Sequence, residues 1–158
     1  MKIKRKSFVF HNLIYTSGVC ASDEWYKMAL TLRNIIVAKG LYINAPMIYT
    51  CVKKDEKNNE YTLYMPINAE LKAVDGVQIS FIKELLIKDA FAFRLADTDP
   101  SSESEAHTML ESAARSQNCI LQHPFYNICL NVFDETMLDI IAPVKGGIFI
   151  TTNSVKRG

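Results

Sequence analysis

The sequence has none of the long apolar runs, paired cysteines or signal segments that mark membrane, metal-binding or secreted proteins. No apolar stretch approaches the roughly 20 residues that a helix needs to cross a bilayer, and the basic N-terminus lacks the apolar core of a secretion signal. The three histidines are scattered, and the four cysteines show no CxxC spacing: Cys20, Cys51, Cys119 and Cys129. We therefore expect a cytoplasmic protein with reduced thiols, no metal, no cofactor and no membrane contact.

An excess of charge of one sign is also missing. The 18 Lys and Arg residues nearly balance the 17 Asp and Glu residues, which leaves a formal net charge of +1. Such a balance gives no general attraction to nucleic acid or to a membrane. The basic start, Lys2, Lys4, Arg5 and Lys6, is interpreted as a solvated strand edge. We expect no direct contact with nucleic acid.

What the sequence does have is the composition of a globular protein. Of its 158 residues, 49% are apolar and 22% are charged, proportions that differ from those of disordered chains. A chain of this length can bury a core without disulfides or metals. We therefore predict one domain over residues 1–158.

An internal repeat organises this domain. Three pairs coincide when the chain is shifted by 78 residues: Pro46 with Pro124, Cys51 with Cys129, and Leu32 with Leu110. Beyond the hairpin the shift drops to 77, which brings Pro66 onto Pro143. The predicted repeats cover about residues 6–67 and 84–144, followed by a C-terminal extension over 145–158.

Each repeat is predicted to contain a strand, a helix and two further strands. The first helix has an apolar stripe and ends near Gly40; the stripe contains Trp25, Met28, Ala29, Leu32, Ile35 and Ile36. The second has a leaner stripe: Ala106, Met109, Leu110, Ala113 and Ala114. The predicted fold class is α+β: tandem duplicated βαββ units form one antiparallel sheet, both helices pack on one face, and the halves are pseudo-two-fold symmetric.

Two βαββ units in tandem, each closing on a strand with a proline near its end ("YMPI" and "IAPV"), resemble the GyrI-like family. Members of this family are also called bacterial transcription activator effector-binding domains. The resemblance covers about residues 6–145 and implies a small-molecule-binding domain. Many relatives are fused to a DNA-binding helix-turn-helix, whereas this chain resembles the stand-alone members, some of which are of unknown function in Gram-positive bacteria.

The resemblance also implies a ligand cleft near the junction of the halves, with aromatic walls and an acidic residue. Asp139 stands four residues before Pro143, where many family members carry Glu, and the equivalent position in the first repeat is Thr62. The aromatic candidates are Trp25, Tyr49, Tyr64 and Tyr126. A carboxylate among aromatic faces would attract a cation.

Structural roles are open for each of these residues. Strand alternation also permits Asp139 to face water, the tyrosines to pack on the sheet, and Trp25 to pack in the core. Cys51 and Cys129 share a repeat position in apolar strands, so we predict that both thiols react slowly in the folded protein.

The function predicted from the sequence is non-catalytic binding or sensing of a small cationic or amphipathic molecule. Some relatives hydrolyse small molecules with an acid and a tyrosine, which Asp139 and Tyr126 could imitate, but no nucleophile elbow or phosphate loop supports catalysis. The alternative is a protein-interaction module that uses the exposed sheet face or the C-terminal segment "IFITT". A protein partner or a homodimer is open in either case.

Overall fold

The computed structural model describes residues 2–71, 79–96, 99–132 and 135–152. Residues 153–158 of the predicted C-terminal extension lie outside the described residues. The elements in chain order are β1 (Lys4–Cys20), α1 (Tyr26–Ala38), β2 (Ile48–Lys53), β3 (Asn59–Pro66), β4 (Ser80–Leu95), α2 (Pro100–Ser116), β5 (Tyr126–Val132), β6 (Glu135–Pro143) and β7 (Ile148–Thr151). Antiparallel strands with α1 and α2 confirm the α+β class predicted from the sequence.

The chain divides into two compact units. The N-unit consists of Phe10–Leu85 with Ile150–Gly158, and the C-unit consists of Leu86–Phe149 with Met1–Val9. The first residues of β1 therefore belong to the C-unit, although the sequence repeat assigns them to the first half. A single domain over residues 1–158 stays a prediction.

In the N-unit, β3 lies between β1 and β2 and pairs antiparallel with both. Helix α1 buries Leu32 and Ile36 in a core with Leu63 and Ile67 of this unit. The helix ends because Gly40 adopts a φ of +71°, a left-handed conformation that glycine enters without steric cost. The end of α1 is thus where the sequence predicted it.

In the C-unit, β6 lies between β4 and β5, and β7 lies next to β4. The amide of Lys88 in β4 donates to the carbonyl of Gly147 at 2.7 Å. This hydrogen bond holds the residue before β7 beside β4. Helix α2 contributes three fully buried residues of its predicted stripe: Ala106, Leu110 and Ala114. None of the helices in the described part of the chain is long and apolar enough to cross a bilayer.

The ladders of the two units have matching registers. In the N-unit, Leu13 lies opposite Pro66 and Ser17 lies opposite Thr62. In the C-unit, Ala90 lies opposite Pro143, and Arg94 lies opposite Asp139. Each ladder thus places a polar pair four residues before the proline of its last strand. A duplication with pseudo-two-fold symmetry, and the placement of both helices on one sheet face, stay predictions.

Candidate functional site

Asp139 forms an ion pair with Arg94, its neighbour across the β4–β6 ladder. Arg94 Nε donates to Asp139 Oδ1 at 2.7 Å, and Arg94 Nη2 donates to Asp139 Oδ2 at 3.0 Å. Two parallel hydrogen bonds of this kind fix the orientation of both groups. Asp139, which the sequence analysis considered as an acid that attracts a cation, is therefore already bound by an arginine of the same chain.

The two members of this pair differ in exposure. The side chain of Arg94 is 61% exposed, whereas that of Asp139 is 23% exposed. The hydrogen bonds that Arg94 donates to Asp139, together with the negative charge of that carboxylate, raise the pKa of the Arg94 guanidinium. The carboxylate is thus paired with a residue of the neighbouring strand, and much of the Arg94 side chain is exposed to solvent.

A cleft of about 440 Å³ lies beside the ion pair, within the C-unit. Its lining combines three lysines, apolar residues and the ion pair: Lys2, Lys4, Lys6, Phe8, Ala92, Phe93, Arg94 and Asp139. Side chains of alternate residues in an extended strand project to the same face. Lys4, Lys6 and Phe8 of β1, with Lys2 just before the strand, therefore line the cleft together.

Arg5 lies between these lysines in the sequence and binds other residues. Its Nε and Nη2 donate to the two carboxylate oxygens of Asp89 at 2.9 and 2.6 Å, and its Nη1 donates to Gln117 Oε1 at 2.8 Å. Its guanidinium also lies 5.2 Å from the ring centroid of Phe91. These contacts attach the start of β1 to β4 and to the residue after α2, and they lower the pKa of Asp89.

Two of the predicted aromatic site residues come together in the N-unit. Trp25 stacks on Tyr49 with ring centroids 5.5 Å apart, and Tyr61 lies 6.1 Å from Trp25. All three contribute to the core under α1. This arrangement is the packing alternative that the sequence left open, and a ligand-binding role for Trp25 and Tyr49 stays a prediction.

The structure separates Tyr64 from that cluster. Tyr64 lies opposite Tyr15 and Ile48, whereas Tyr49 lies opposite Leu63, the next residue along β3. Adjacent residues of a strand face opposite sides of a sheet, so Tyr49 and Tyr64 project from opposite faces. Tyr64 packs on Tyr15 with centroids 5.4 Å apart.

Tyr126 lies in the C-unit with Asp139. It pairs with Ile141 in the β5–β6 ladder, two residues along β6 from Asp139, so both side chains share one face. Tyr126 is buried, and the Asp139 carboxylate is bonded to Arg94. An acid–tyrosine pair that acts on a substrate stays a hypothesis.

Sequence reasoning missed Arg94 and the lysine row. Arg94 could have been found by predicting the antiparallel ladder between the first and last strands of the second repeat, which brings it opposite Asp139. The lysines were recognised as a basic start but were interpreted as solvated. Within the described ranges, no group of three or more His, Cys, Asp or Glu side chains is placed to hold a metal ion.

The fold is shared with several proteins of known structure. This chain is similar to the EcmrR C-terminal domain, with a TM-score of 0.63 and 15% identity over 92% of this chain and 99% of that one. It is similar to EcmrR in a cryo-EM EcmrR–DNA complex, with a TM-score of 0.69 and 15% identity over 90% of this chain. It spans 57% of the EcmrR chain in that complex.

Two further structures have the same fold at 10% identity. SAV2435 bound to tetraphenylphosphonium matches with a TM-score of 0.51 over 92% of this chain and 95% of that one. A hydrolase from Listeria innocua matches with a TM-score of 0.64 over 91% of this chain and 92% of that one. Identities this low establish a shared fold and nothing about the function of this chain.

The chain belongs to the family described as a domain of unknown function, DUF5085, whose model matches residues 9–146. No curated protein matches the sequence. One expectation has to be corrected: we excluded direct contact with nucleic acid, yet this fold occurs in the EcmrR–DNA complex. A net charge near zero does not show where the charges lie on the surface, so it could not exclude contact with nucleic acid. We therefore withdraw that exclusion.

Proposed function

We propose that this chain is a non-catalytic small-molecule-binding or sensing domain of the GyrI-like type. Its ligand lies in the cleft beside Arg94 and Asp139. The observation that carries this proposal is the cleft itself, about 440 Å³ in volume, which combines apolar residues with charged groups. Ligand sites are commonly clefts of roughly 300–1,000 Å³ with an apolar lining and a few well-placed polar groups.

The structural neighbours support ligand binding in general. SAV2435 has this fold and was solved with bound tetraphenylphosphonium, an apolar body that carries one charge. An amphipathic ligand of comparable character suits a lining in which Phe8, Ala92 and Phe93 lie beside charged side chains. The ligand of this chain is therefore proposed to be amphipathic, as the sequence indicated.

Filling the cleft tests this proposal. Ala92 lines the cleft and is partly buried, so the substitution Ala92→Trp would occupy space that a ligand needs. We expect a thermal-shift screen of lipophilic ions to find compounds that raise the melting temperature of the parent. The Ala92→Trp variant should lose most of that shift. The matched control is Ala45→Trp, at an exposed loop position in the N-unit, and it should respond like the parent.

Two results would contradict the proposal. One is a screen in which no compound stabilises the parent protein. The other is a hit that binds Ala92→Trp as tightly as it binds the parent, because that ligand would lie elsewhere. Chromatography of each hit after incubation with the protein tests for turnover, and a converted compound would show that the chain is an enzyme.

A second candidate function is protein interaction through β7. Phe149 and Ile150 in this strand are 51% and 54% exposed, although both are large and apolar. Exposed apolar residues on a short strand are typical of sites that add a partner's strand. Sedimentation over a range of concentrations should then show self-association that Phe149→Asp abolishes. The control Val37→Asp, at an exposed position of α1, should leave association unchanged.

The tandem duplication is also part of this proposal. Its support is that Ser17 opposite Thr62 and Arg94 opposite Asp139 occupy the same place in two ladders of the same register. Superposing residues 6–67 on 84–144 in a crystal structure tests it. A different strand order in the two sets would refute the duplication.

A further inference from the structure

We propose that the ligand of the cleft is an amphipathic anion, held by the positive charges of Lys2, Lys4 and Lys6. This inference rests on the proposed function, because it assigns a ligand class to the same cleft. It differs from the sequence-based prediction, in which Asp139 attracted a cation.

The three lysines form a row of unneutralised charge. Lys2, Lys4 and Lys6 line one side of the cleft, and side chains two residues apart along an extended chain are roughly 6.5–7 Å apart. Within the described part of the chain, the ion pairs of lysine involve Lys27, Lys54 and Lys83 and none of these three. An anion that enters the cleft can therefore bind them without breaking an existing pair.

The charge balance of the lining favours an anion. The lining contains four cationic side chains and one carboxylate, and that carboxylate already accepts two hydrogen bonds from Arg94. A cation would have to compete with Arg94 for Asp139 and would be repelled by the lysines. An anion meets attraction from several positive groups, which a partly enclosed cleft strengthens by excluding water.

The contacts of Arg5 hold the lysine row in place. Arg5 is bonded to Asp89 and Gln117 on the side of the strand away from the lysines. This attachment orders the backbone that carries Lys4 and Lys6 before any ligand arrives. Pre-organised groups bind more tightly because less conformational entropy is lost on binding.

Apolar residues beside the charges define the apolar part of the ligand. Phe8 follows the three lysines along β1, and Ala92 lines the cleft from β4. Lys6 Nζ lies 4.9 Å from the ring centroid of Phe8, so a charged site and an apolar site adjoin each other. A ligand that combines a negative charge with apolar surface matches both.

Two probes of the same shape and opposite charge test the inference. Tetraphenylborate and tetraphenylphosphonium both carry four phenyl groups around one central atom. We expect calorimetry in potassium-free buffer to show at least about tenfold tighter binding of the borate by the parent protein. The affinity for the borate should fall as the NaCl concentration rises, because salt screens the lysines.

Charge removal identifies the groups responsible. The triple variant Lys2→Gln, Lys4→Gln, Lys6→Gln should bind the borate about 10- to 100-fold more weakly and should not lose affinity for the phosphonium. The matched control replaces three exposed lysines that form no ion pair within the described residues: Lys53→Gln, Lys57→Gln and Lys145→Gln. It should bind both probes like the parent.

The outcomes separate this inference from the proposed function. If the parent binds the phosphonium and not the borate, the ligand-binding function stands and the anion assignment is wrong. If the lysine triple variant binds the borate like the parent, the lysines are not the binding groups and the assignment is also wrong. If single-stranded DNA competes with the borate at similar concentration, the row is a nucleic-acid contact and the small-anion assignment is overturned. If no compound binds, both proposals are refuted.

Discussion

The N-unit and the C-unit use different chemistry at the same place in their ladders. Four residues before Pro66, Thr62 lies opposite Ser17, and their hydroxyl oxygens are 2.8 Å apart. Four residues before Pro143, Asp139 lies opposite Arg94 in a two-bond ion pair. In the N-unit, two hydroxyl groups occupy this position and the strands still pair. Strand pairing at this position therefore does not require charged side chains. The ion pair of the C-unit is therefore available for a role other than holding strands together.

The units are alike where they are buried. Leu32 of α1 and Leu110 of α2, which the predicted repeat aligns, are both fully buried. The buried leucines, which are alike in both units, are therefore expected to matter for stability, whereas the polar ladder pairs, which differ between the units, are not.

The largest effect is expected in the cores. Leu32→Ala and Leu110→Ala each remove a fully buried side chain and should lower the free energy of unfolding by about 2–5 kcal/mol. Urea denaturation of both variants measures this. If one substitution lowers the free energy of unfolding by less than about 1 kcal/mol, the two helices do not play equivalent parts in their units.

A second effect distinguishes the thiols of the two units. Burial raises the pKa of the Cys129 thiol to about 11, from an ordinary value of 9.0. Because the thiolate is the reactive form, this shift alone should slow labelling of Cys129 at pH 8 by about 100-fold relative to the unfolded chain. Variants that retain only Cys51 or only Cys129 allow the two labelling rates to be compared. Rapid labelling of both thiols in native buffer would contradict the prediction that both are protected in apolar strands.

The same shift has a consequence for stability. The unfolded chain loses the Cys129 proton near pH 9, whereas the folded chain keeps it until about pH 11. The stabilisation that depends on the protonated thiol is complete below pH 9 and is lost as the pH rises through 11. Replacement of Cys129 by Ala should flatten the unfolding free energy over this range.

A third prediction concerns two acids whose pKa values are lowered by different partners. Hydrogen bonds from Arg5 lower the pKa of Asp89 in the C-unit, and backbone hydrogen bonds from Lys57 and Asn58 lower that of Asp55 in the N-unit. We expect both carboxylates to titrate below the ordinary value of 3.8. Arg5→Gln should return only Asp89 towards 3.8, which carbon-detected NMR titration of the carboxylates can measure.

The direction of the acid effect follows from linkage. An acid with a lowered pKa stabilises the folded state above its unfolded pKa, and this contribution is lost as the pH falls through the folded pKa. The parent should therefore lose more stability below pH 4 than Arg5→Gln does. An identical acid profile in both proteins would show that the Arg5–Asp89 pair is not formed in solution.

The smallest effect is expected from exchanging the polar pairs. The double variant Arg94→Ser, Asp139→Thr places the N-unit pair in the C-unit ladder, and it should unfold within about 1 kcal/mol of the parent, since exposed ion pairs contribute little. Asp139→Asn alone should change the free energy of unfolding by a similarly small amount. It should strengthen borate binding, because it frees the guanidinium of Arg94 for an anion. Weaker borate binding by Asp139→Asn would contradict the assignment of the cleft to anions.

Several features of the fold could be predicted because they depend on local sequence. The apolar stripes of α1 and α2, with Leu32 and Leu110 at matching positions, determined the helices. Gly40 determined where α1 ends, and the prolines near the ends of β3 and β6 were recognised as markers of closing strands. Helical and strand periodicities are properties of neighbouring residues, so composition and spacing were sufficient for the α+β class.

The candidate site could not be predicted in the same way. Asp139 was recognised as unusual, but its partner Arg94 lies 45 residues earlier. The lysines were visible as a basic start, yet nothing local indicated that alternate residues of that strand face a cleft while Arg5 binds Asp89. Tyr49 and Tyr64 were grouped as one aromatic wall, although the strand register places them on opposite faces.

The sequence by itself determined the class of fold, the order of its elements and the residues that the helices bury. Only the tertiary structure decided that Asp139 is paired, that the first residues of β1 join the C-unit, and that three lysines, two phenylalanines and an ion pair surround one cleft. The physical reason is that periodicity is encoded over a few residues, whereas a charged side chain acquires its partner from strand pairing between distant segments.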